Sequence, residues 1–144
     1  MKLKTLYAVA AIALFSAFTN PAPPETDIIG KWKIDDASVN NATNRVLFKL
    51  KLANLGMAGK IEDQRNRIKE QIAAVRVTFS ADHTTAIQSG DKTTAGTWNL
   101  SDNNHILSTT KNGVIRKDSI LSLAATRIQL VGLAERDTVV YIRP

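Results

Sequence analysis

The chain has 144 residues, of which 44% are hydrophobic and 22% charged, a composition that supports one globular domain with a core of its own. It contains no cysteine, which excludes a disulfide framework, a thiolate metal site and a cysteine nucleophile. The formal net charge is +6, but the basic residues are dispersed and few aromatic residues lie among them. We therefore expect no nucleic-acid partner.

The N-terminus has the pattern of an export signal. Lys2 and Lys4 precede an apolar stretch over residues 6–18 that only Ser16 interrupts, and this stretch is shorter than the ~18 residues that a membrane-spanning helix needs. We predict a signal peptide over residues 1–19, a proline-rich spacer over 20–27 and a folded domain over 28–144; an uncleaved anchor is the alternative. The protein is then periplasmic or secreted, with no integral membrane segment after signal removal.

The folded domain begins with a strand and continues with a helical segment. Apolar and polar residues alternate from Ile28 to Ile34, which predicts a half-buried strand. Residues 44–74 lack proline and are rich in helix-forming residues. A single apolar stripe continues through Gly56 and Gly59, which favours one long helix, with a helical hairpin as the alternative because glycine destabilises a helix interior. The stripe consists of Val46, Leu50, Ala53, Met57, Ile61, Ile68 and Ile72.

A second apolar face lies opposite this stripe. Phe48, Leu52 and Leu55 form it, and a helix that buries one side needs no second stripe. Either a loop or a folded-back half of the segment covers these residues, which is the interpretation we favour, or they form a lid, a partner surface or a membrane contact.

After Ala74 the chain alternates between short strands and turns. Asn112-Gly113 is a strong hairpin signal because both residues tolerate positive φ. Together with the first strand, the segments predict eight antiparallel strands that close into a barrel, either filled with side chains or holding one small ligand. The seven later strands span residues 75–79, 84–89, 93–100, 105–110, 114–122, 127–131 and 137–142.

Both tryptophans follow a glycine by two positions, in "GKWKIDD" and "GTWNLSD". The first copy, Gly30-Lys31-Trp32, resembles the motif that opens lipocalins and fatty-acid-binding proteins, and the stretch from Val77 to Thr110 resembles small bacterial lipocalin-like domains on exported proteins. The resemblance implies that Gly30, Trp32 and Arg143 close one end of the barrel. In both copies we expect the glycine to leave room for the indole.

No catalytic or metal-binding pattern stands out. His83 and His105 are the only histidines and lie at predicted turns, which does not resemble a metal-ligand pair, so we expect no metal and no cofactor. A hydrolase that uses either histidine is a distant alternative. We expect a non-enzymatic protein that binds a small apolar or amphipathic ligand through Phe79, Trp98 and Tyr141. The alternative is a filled barrel that meets a cell-envelope protein partner through Phe48, Leu52 and Leu55.

Overall fold

The computed structural model describes residues 24–144, which form a β-barrel with a helical segment between its first two strands. The strands are β1 (Gly30–Ile34), β2 (Arg76–Phe79), β3 (Thr84–Ser89), β4 (Lys92–Ser101), β5 (Ile106–Lys111), β6 (Val114–Ala124), β7 (Arg127–Gly132) and β8 (Thr138–Ile142). The helices are α1 (Asp36–Ala53), α2 (Ala58–Glu62) and α3 (Arg65–Ala73).

The eight strands form one closed antiparallel barrel in sequence order, as predicted. Short turns connect each strand to the next from β2 onward, and β1 closes the ring by pairing with β8 at Ile34 and Tyr141. Asn112 and Gly113 both adopt positive φ, 50° and 76°, which is the conformation that a tight hairpin turn requires. Closure leaves no strand with a free edge along its paired length, and the sheet needs no other partner.

One apolar cluster fills the inside of the barrel. It includes Trp32, Phe79 and Trp98 together with aliphatic side chains from β2 and from β5 to β7. Directly paired residues of antiparallel strands point to the same face of the sheet, so the inward-facing residues of neighbouring strands meet in this cluster. The buried cluster consists of Ile28, Trp32, Val77, Phe79, Trp98, Leu107, Ile120, Ile128 and Leu130.

The helical segment is a hairpin, so the prediction of one continuous helix over residues 44–74 is wrong and the hairpin alternative is right. The Asp35 side chain caps α1 by accepting a hydrogen bond from the Ser38 N–H, and the helix begins at Asp36, eight residues earlier than expected. Asn54 leaves the helical conformation at φ −140° and ψ 63°, and a 3-10 turn over Leu55–Met57 follows.

Folding back buries side chains that a straight helix would leave in solvent. Leu47 of α1 packs with Ile61 of α2 and Ile68 of α3, and Ile72 borders the cluster. The predicted stripe is therefore divided: Ile61 and Ile68 are buried, whereas Val46, Leu50 and Met57 remain exposed. Burial of apolar surface between the two arms outweighs the modest cost of interrupting the helix.

The hairpin lies at the end of the barrel where β1 ends and β8 begins. The Ser38 hydroxyl accepts a hydrogen bond of 2.8 Å from the Val140 N–H, and Arg45 and Lys49 form ion pairs with Asp137 and Glu135, in the turn between β7 and β8. These contacts place α1 against the turn that precedes β8.

The predicted signal peptide and residues 20–23 of the predicted spacer lie outside the described residues. The remainder of that spacer includes a 3-10 turn over Glu25–Asp27, and Ile28 behind it is fully buried. Within residues 24–144, no helix combines the length and the apolar character needed to cross a membrane.

Candidate ligand-binding site

A tryptophan and an arginine are in contact at one end of the barrel. The Arg143 guanidinium lies 3.7 Å from the centroid of the Trp32 ring, within the range of a cation–π contact. The indole N–H of Trp32 donates a 2.7 Å hydrogen bond to the Ile28 carbonyl. The structure thus brings together the two side chains that the resemblance assigned to closure.

Arg143 uses its remaining donors within the same end of the barrel. Its guanidinium donates to four backbone carbonyls at 2.8–3.4 Å, namely those of Asp27, Ile29, Lys31 and Ala125. An anionic ligand would have to displace these bonds to bind Arg143. The guanidinium is therefore already engaged by the backbone at this end of the barrel, which is what a closing residue would require.

We expected Gly30 and Gly96 to leave room for the tryptophan indoles, and this expectation is wrong. Each glycine leaves room for a different group. A Cβ on Gly30, whose φ is +128°, would lie 2.1 Å from Nη1 of Arg143. A Cβ on Gly96 would lie 2.2 Å from the carbonyl oxygen of Thr110 on β5. The first glycine admits the closing arginine, and the second allows the neighbouring backbone to approach.

Phe79 and Trp98, two of the three residues expected to line a cavity, pack against each other in the core. Their ring centroids are 5.7 Å apart in an edge-to-face arrangement, and the residues are only 5% and 2% exposed. The Trp98 indole N–H donates to the Ser80 carbonyl at 3.0 Å. The two rings therefore fill the space between strands and leave no opening between them for a ligand.

Tyr141, the third expected residue, is partly buried and packs against the same core. Burial raises the pKa of its phenol; nearby Arg116 opposes this effect, and Asp118 and Asp137 add to it. These charged neighbours belong to the end of the barrel opposite Arg143, since Asp137 precedes β8 and Arg143 follows it. Tyr141 thus lies near a group of charged residues that the sequence patterns did not single out.

Two arginines and two aspartates form a charge cluster at this opposite end, which we call the rim cluster: Arg45, Arg116, Asp118 and Asp137. Arg116 Nε lies 2.9 and 3.0 Å from the two carboxylate oxygens of Asp118, and its Nη2 lies 2.8 Å from Oδ1. Arg45 reaches Oδ2 of Asp137 at 2.7 Å. The hydrogen bond that Arg116 donates to Asp118 is the main reason that the pKa of Arg116 is raised, so its guanidinium keeps its charge.

A pocket of about 510 Å³ opens beside the rim cluster. The beginning of β6 and the turn between β7 and β8 form its walls, and the volume is in the range of small-molecule sites. Its apolar walls come from Ile115, Leu133 and Ala134, and its polar walls include Arg116 and Asp137. An apolar body and a polar group of one small ligand can both be accommodated here.

One polar atom of the pocket wall has no protein partner. Oδ1 of Asp137 is buried and accepts no hydrogen bond from the part of the chain that the structure describes, and Nη2 of Arg116 is 3.9 Å away. A Cβ on Gly132 would lie 2.7 Å from this oxygen, so the glycine allows the carboxylate to occupy its place. A buried acceptor without a donor is costly, which marks this atom as a candidate contact for a ligand.

The remaining candidate residues lie elsewhere. His83 stacks on Trp98 with ring centroids 4.9 Å apart, and its Nε2 is 3.4 Å from Glu25; His105 lies in the turn between β4 and β5.

Phe48, Leu52 and Leu55 are 63%, 58% and 80% exposed. The expectation that a loop or the folded-back arm covers this face is therefore wrong.

Arg116 and Asp118 were missed although the sequence carries a signal for them. Residues two apart on a strand share a face, so Arg116 and Asp118 lie on the face of Ile120, which points into the core. Charged residues on the apolar face of a strand need partners. The sequence does not show that Asp137 and Arg45 lie beside them, because those contacts depend on the position of the helical hairpin.

Comparisons with known proteins agree with the architecture. The sequence model of the family described as "Lipocalin-like domain (DUF4923)" matches residues 3–137, in agreement with the resemblance that the sequence carries. The crystal structure of a DUF4847 family protein from Bacteroides vulgatus ATCC 8482 has a TM-score of 0.55 and 12% sequence identity, and the alignment covers 83% of this chain and 96% of that chain. At this identity the likeness shows the fold alone. No curated protein matches the chain.

Proposed function

Because the chain belongs to the family of lipocalin-like domains described as DUF4923, we propose that it is an exported, non-enzymatic protein that binds a small apolar or amphipathic ligand. The ligand occupies the pocket beside the rim cluster and not the interior between Phe79 and Trp98. The observation that carries this proposal is the pocket itself, about 510 Å³ in volume with walls from Ile115, Leu133 and Ala134.

The contacts of His83 support a binding role over a hydrolytic one that uses this histidine. The described side-chain contacts of His83 are with Glu25 and Trp98, and a hydrolase would need a nucleophile within hydrogen-bond reach of the imidazole. The export part of the proposal rests on the sequence pattern of residues 1–19.

A second candidate function is supported by exposed apolar residues at the end of α1 and in the 3-10 turn that follows it. Phe48, Leu52 and Leu55 lie within two turns of one another and are all more than half exposed. Large apolar side chains grouped on a surface often mark a contact with a partner. In this case the filled barrel is a scaffold, and a cell-envelope protein binds the helical hairpin.

One set of measurements separates the two candidates. Native mass spectrometry of the processed, gently purified protein should show a bound mass that disappears on denaturation. Nile red, an uncharged dye, should bind with a fluorescence increase. We expect Leu133→Asp to weaken dye binding by at least about tenfold, since it places a charge in the apolar wall.

The matched control is the triple variant Phe48→Ser, Leu52→Ser, Leu55→Ser, which removes the exposed face and leaves the pocket intact. Dye affinity should stay within about twofold of the parent protein. Loss of dye binding in the triple variant, with retention in Leu133→Asp, would favour the partner surface. A bare mass together with no dye response would contradict the ligand-binding proposal.

A further inference from the structure

We infer that the pocket selects an uncharged amphiphile with a hydroxyl group, and that Asp137 and Arg116 recognise this group. The inference rests on the proposed function, because it names the class of ligand for the same pocket. It depends on the charge balance of the rim cluster, on the unpartnered oxygen of Asp137 and on the distance between that oxygen and Arg116.

The charge balance argues against an ionic ligand. Arg116 is paired with Asp118, and Arg45 is paired with Asp137, so these charges offset each other. Lys117 and Glu135, which also line the pocket, add one charge of each sign. A carboxylate ligand attracted by Arg116 would be repelled by the two aspartates. An ammonium ligand attracted by Asp137 would be repelled by the two arginines. Removing either ion from water has a cost that this wall does not repay.

The unpartnered oxygen calls for a hydrogen-bond donor. The side chain of Asp137 is only 9% exposed, and its Oδ1 accepts no hydrogen bond from any group among residues 24–144. An ionised carboxylate offers only acceptors. A ligand that presents an O–H group satisfies this oxygen, whereas an ether or an ester of the same size does not.

The distance between Arg116 and Asp137 suits a hydroxyl, which can both accept and donate a hydrogen bond, better than a group that can only donate. Nη2 of Arg116 and Oδ1 of Asp137 are 3.9 Å apart, so one oxygen can lie about 2.8 Å from each of them. A hydroxyl accepts a hydrogen bond from the guanidinium and donates one to the carboxylate. Because Oδ1 is covered, the ligand reaches it only when a neighbouring group moves.

The test compares four probes with the same eight-carbon chain: octan-1-ol, 1-methoxyoctane, octanoate and octylammonium, each displacing Nile red. We expect octan-1-ol to bind at least about tenfold more tightly than the other three, since its O–H forms a charge-assisted hydrogen bond to Asp137. Binding of the methyl ether as tightly as the alcohol would overturn the inference. This comparison uses the unaltered protein, so it does not depend on whether a variant folds.

Asp137→Ala should reduce the preference for the alcohol over its ether to within about twofold. It should also improve octanoate relative to octylammonium, because the wall then carries excess positive charge. The matched control is Asp91→Ala, which removes an exposed carboxylate from the turn between β3 and β4, away from the pocket walls, and should leave the preference unchanged. A preference that survives in Asp137→Ala contradicts the role of Asp137. If Nile red binds but the probes show no preference, only this inference fails; if nothing binds, the proposed function fails with it.

Discussion

Arg143 connects three parts of the chain through one side chain. Its guanidinium covers Trp32 and donates to carbonyls before and within β1 and in the turn between β6 and β7. A planar guanidinium can stack on a ring and still direct its N–H groups outward, whereas the ammonium of lysine is a point charge on a flexible chain. The identity of this residue, and not only its charge, determines the closure.

We therefore expect Arg143→Lys to lower the free energy of unfolding by about 2–3 kcal/mol, from the lost hydrogen bonds and the weaker contact with the indole. Chemical denaturation followed by tryptophan fluorescence measures this difference. Arg127→Lys is the matched control, because Arg127 lies on an exposed position of β7, and it should change the stability by less than about 0.5 kcal/mol. Equal effects of the two substitutions would contradict the closing role of Arg143.

The sequence predicted which glycines matter but not what they accommodate. Glycine and tryptophan two apart share a strand face, so the indole was the nearest candidate in sequence. The groups that use the space come from distant parts of the chain, Arg143 beside Gly30 and the Thr110 carbonyl beside Gly96. Such neighbours follow from strand pairing, which a local pattern does not encode.

Glu62 joins the two arms of the helical hairpin. Its carboxylate pairs with Arg65 at the beginning of α3 and with Lys51 near the end of α1. The hydrogen bond from Arg65, followed by that from Lys51, lowers the pKa of Glu62 from 4.5 to about 2. The folded hairpin thus favours the ionised carboxylate.

This shift predicts a dependence of hairpin stability on pH. A lowered pKa contributes stability that is fully present above pH 4.5 and is lost as the pH falls toward 2. Thermal unfolding followed by circular dichroism should show a smaller loss over this interval in Glu62→Gln than in the parent protein. Glu70→Gln, on the exposed surface of α3, should behave like the parent protein. The same pH dependence in all three proteins would contradict the contribution of Glu62.

The helical segment also shows where periodicity stops being informative. The apolar spacing correctly indicated a helical region, but its phase continued through residues 54–57, where the backbone leaves the helix. Leu47, which packs between the two arms of the hairpin, is only 1% exposed and lies outside the predicted stripe. Its burial depends on the return of α2 and α3, and a pattern calculated for one straight helix cannot include that return.

At the scale of the whole molecule, the barrel was predictable because its signals are local. Alternating side chains, short strands and turn residues each indicate antiparallel pairing between neighbours in sequence. The pocket was not predictable in this way. Its walls come from β6 and from the turn before β8, and Arg45 of α1 pairs with Asp137 in that turn, so the site exists only after distant segments meet.

The barrel and the hairpin have separate apolar clusters, which predicts that they open separately. Trp32, Phe79 and Trp98 belong to one cluster and Leu47, Ile61 and Ile68 to the other. The barrel ring is closed by its own hydrogen bonds, whereas the far arm of the hairpin, α2 and α3, lies against α1. Regions with few buried contacts open at lower free energy than closed cores.

Hydrogen exchange measured by mass spectrometry should therefore show amides of residues 58–73 exchanging at least roughly tenfold faster than those of β5 to β7. Ser38→Ala removes the hydroxyl that accepts the Val140 N–H, so it should accelerate exchange in α1 and at the start of β8 while β5 and β6 keep their protection. Uniform protection across hairpin and barrel would mean that the two clusters unfold as one unit. In that case a ligand bound at the rim cluster could not change amide protection in the hairpin without changing it in the barrel. The ion pair between Arg45 and Asp137 would then join two parts of a single cooperative structure.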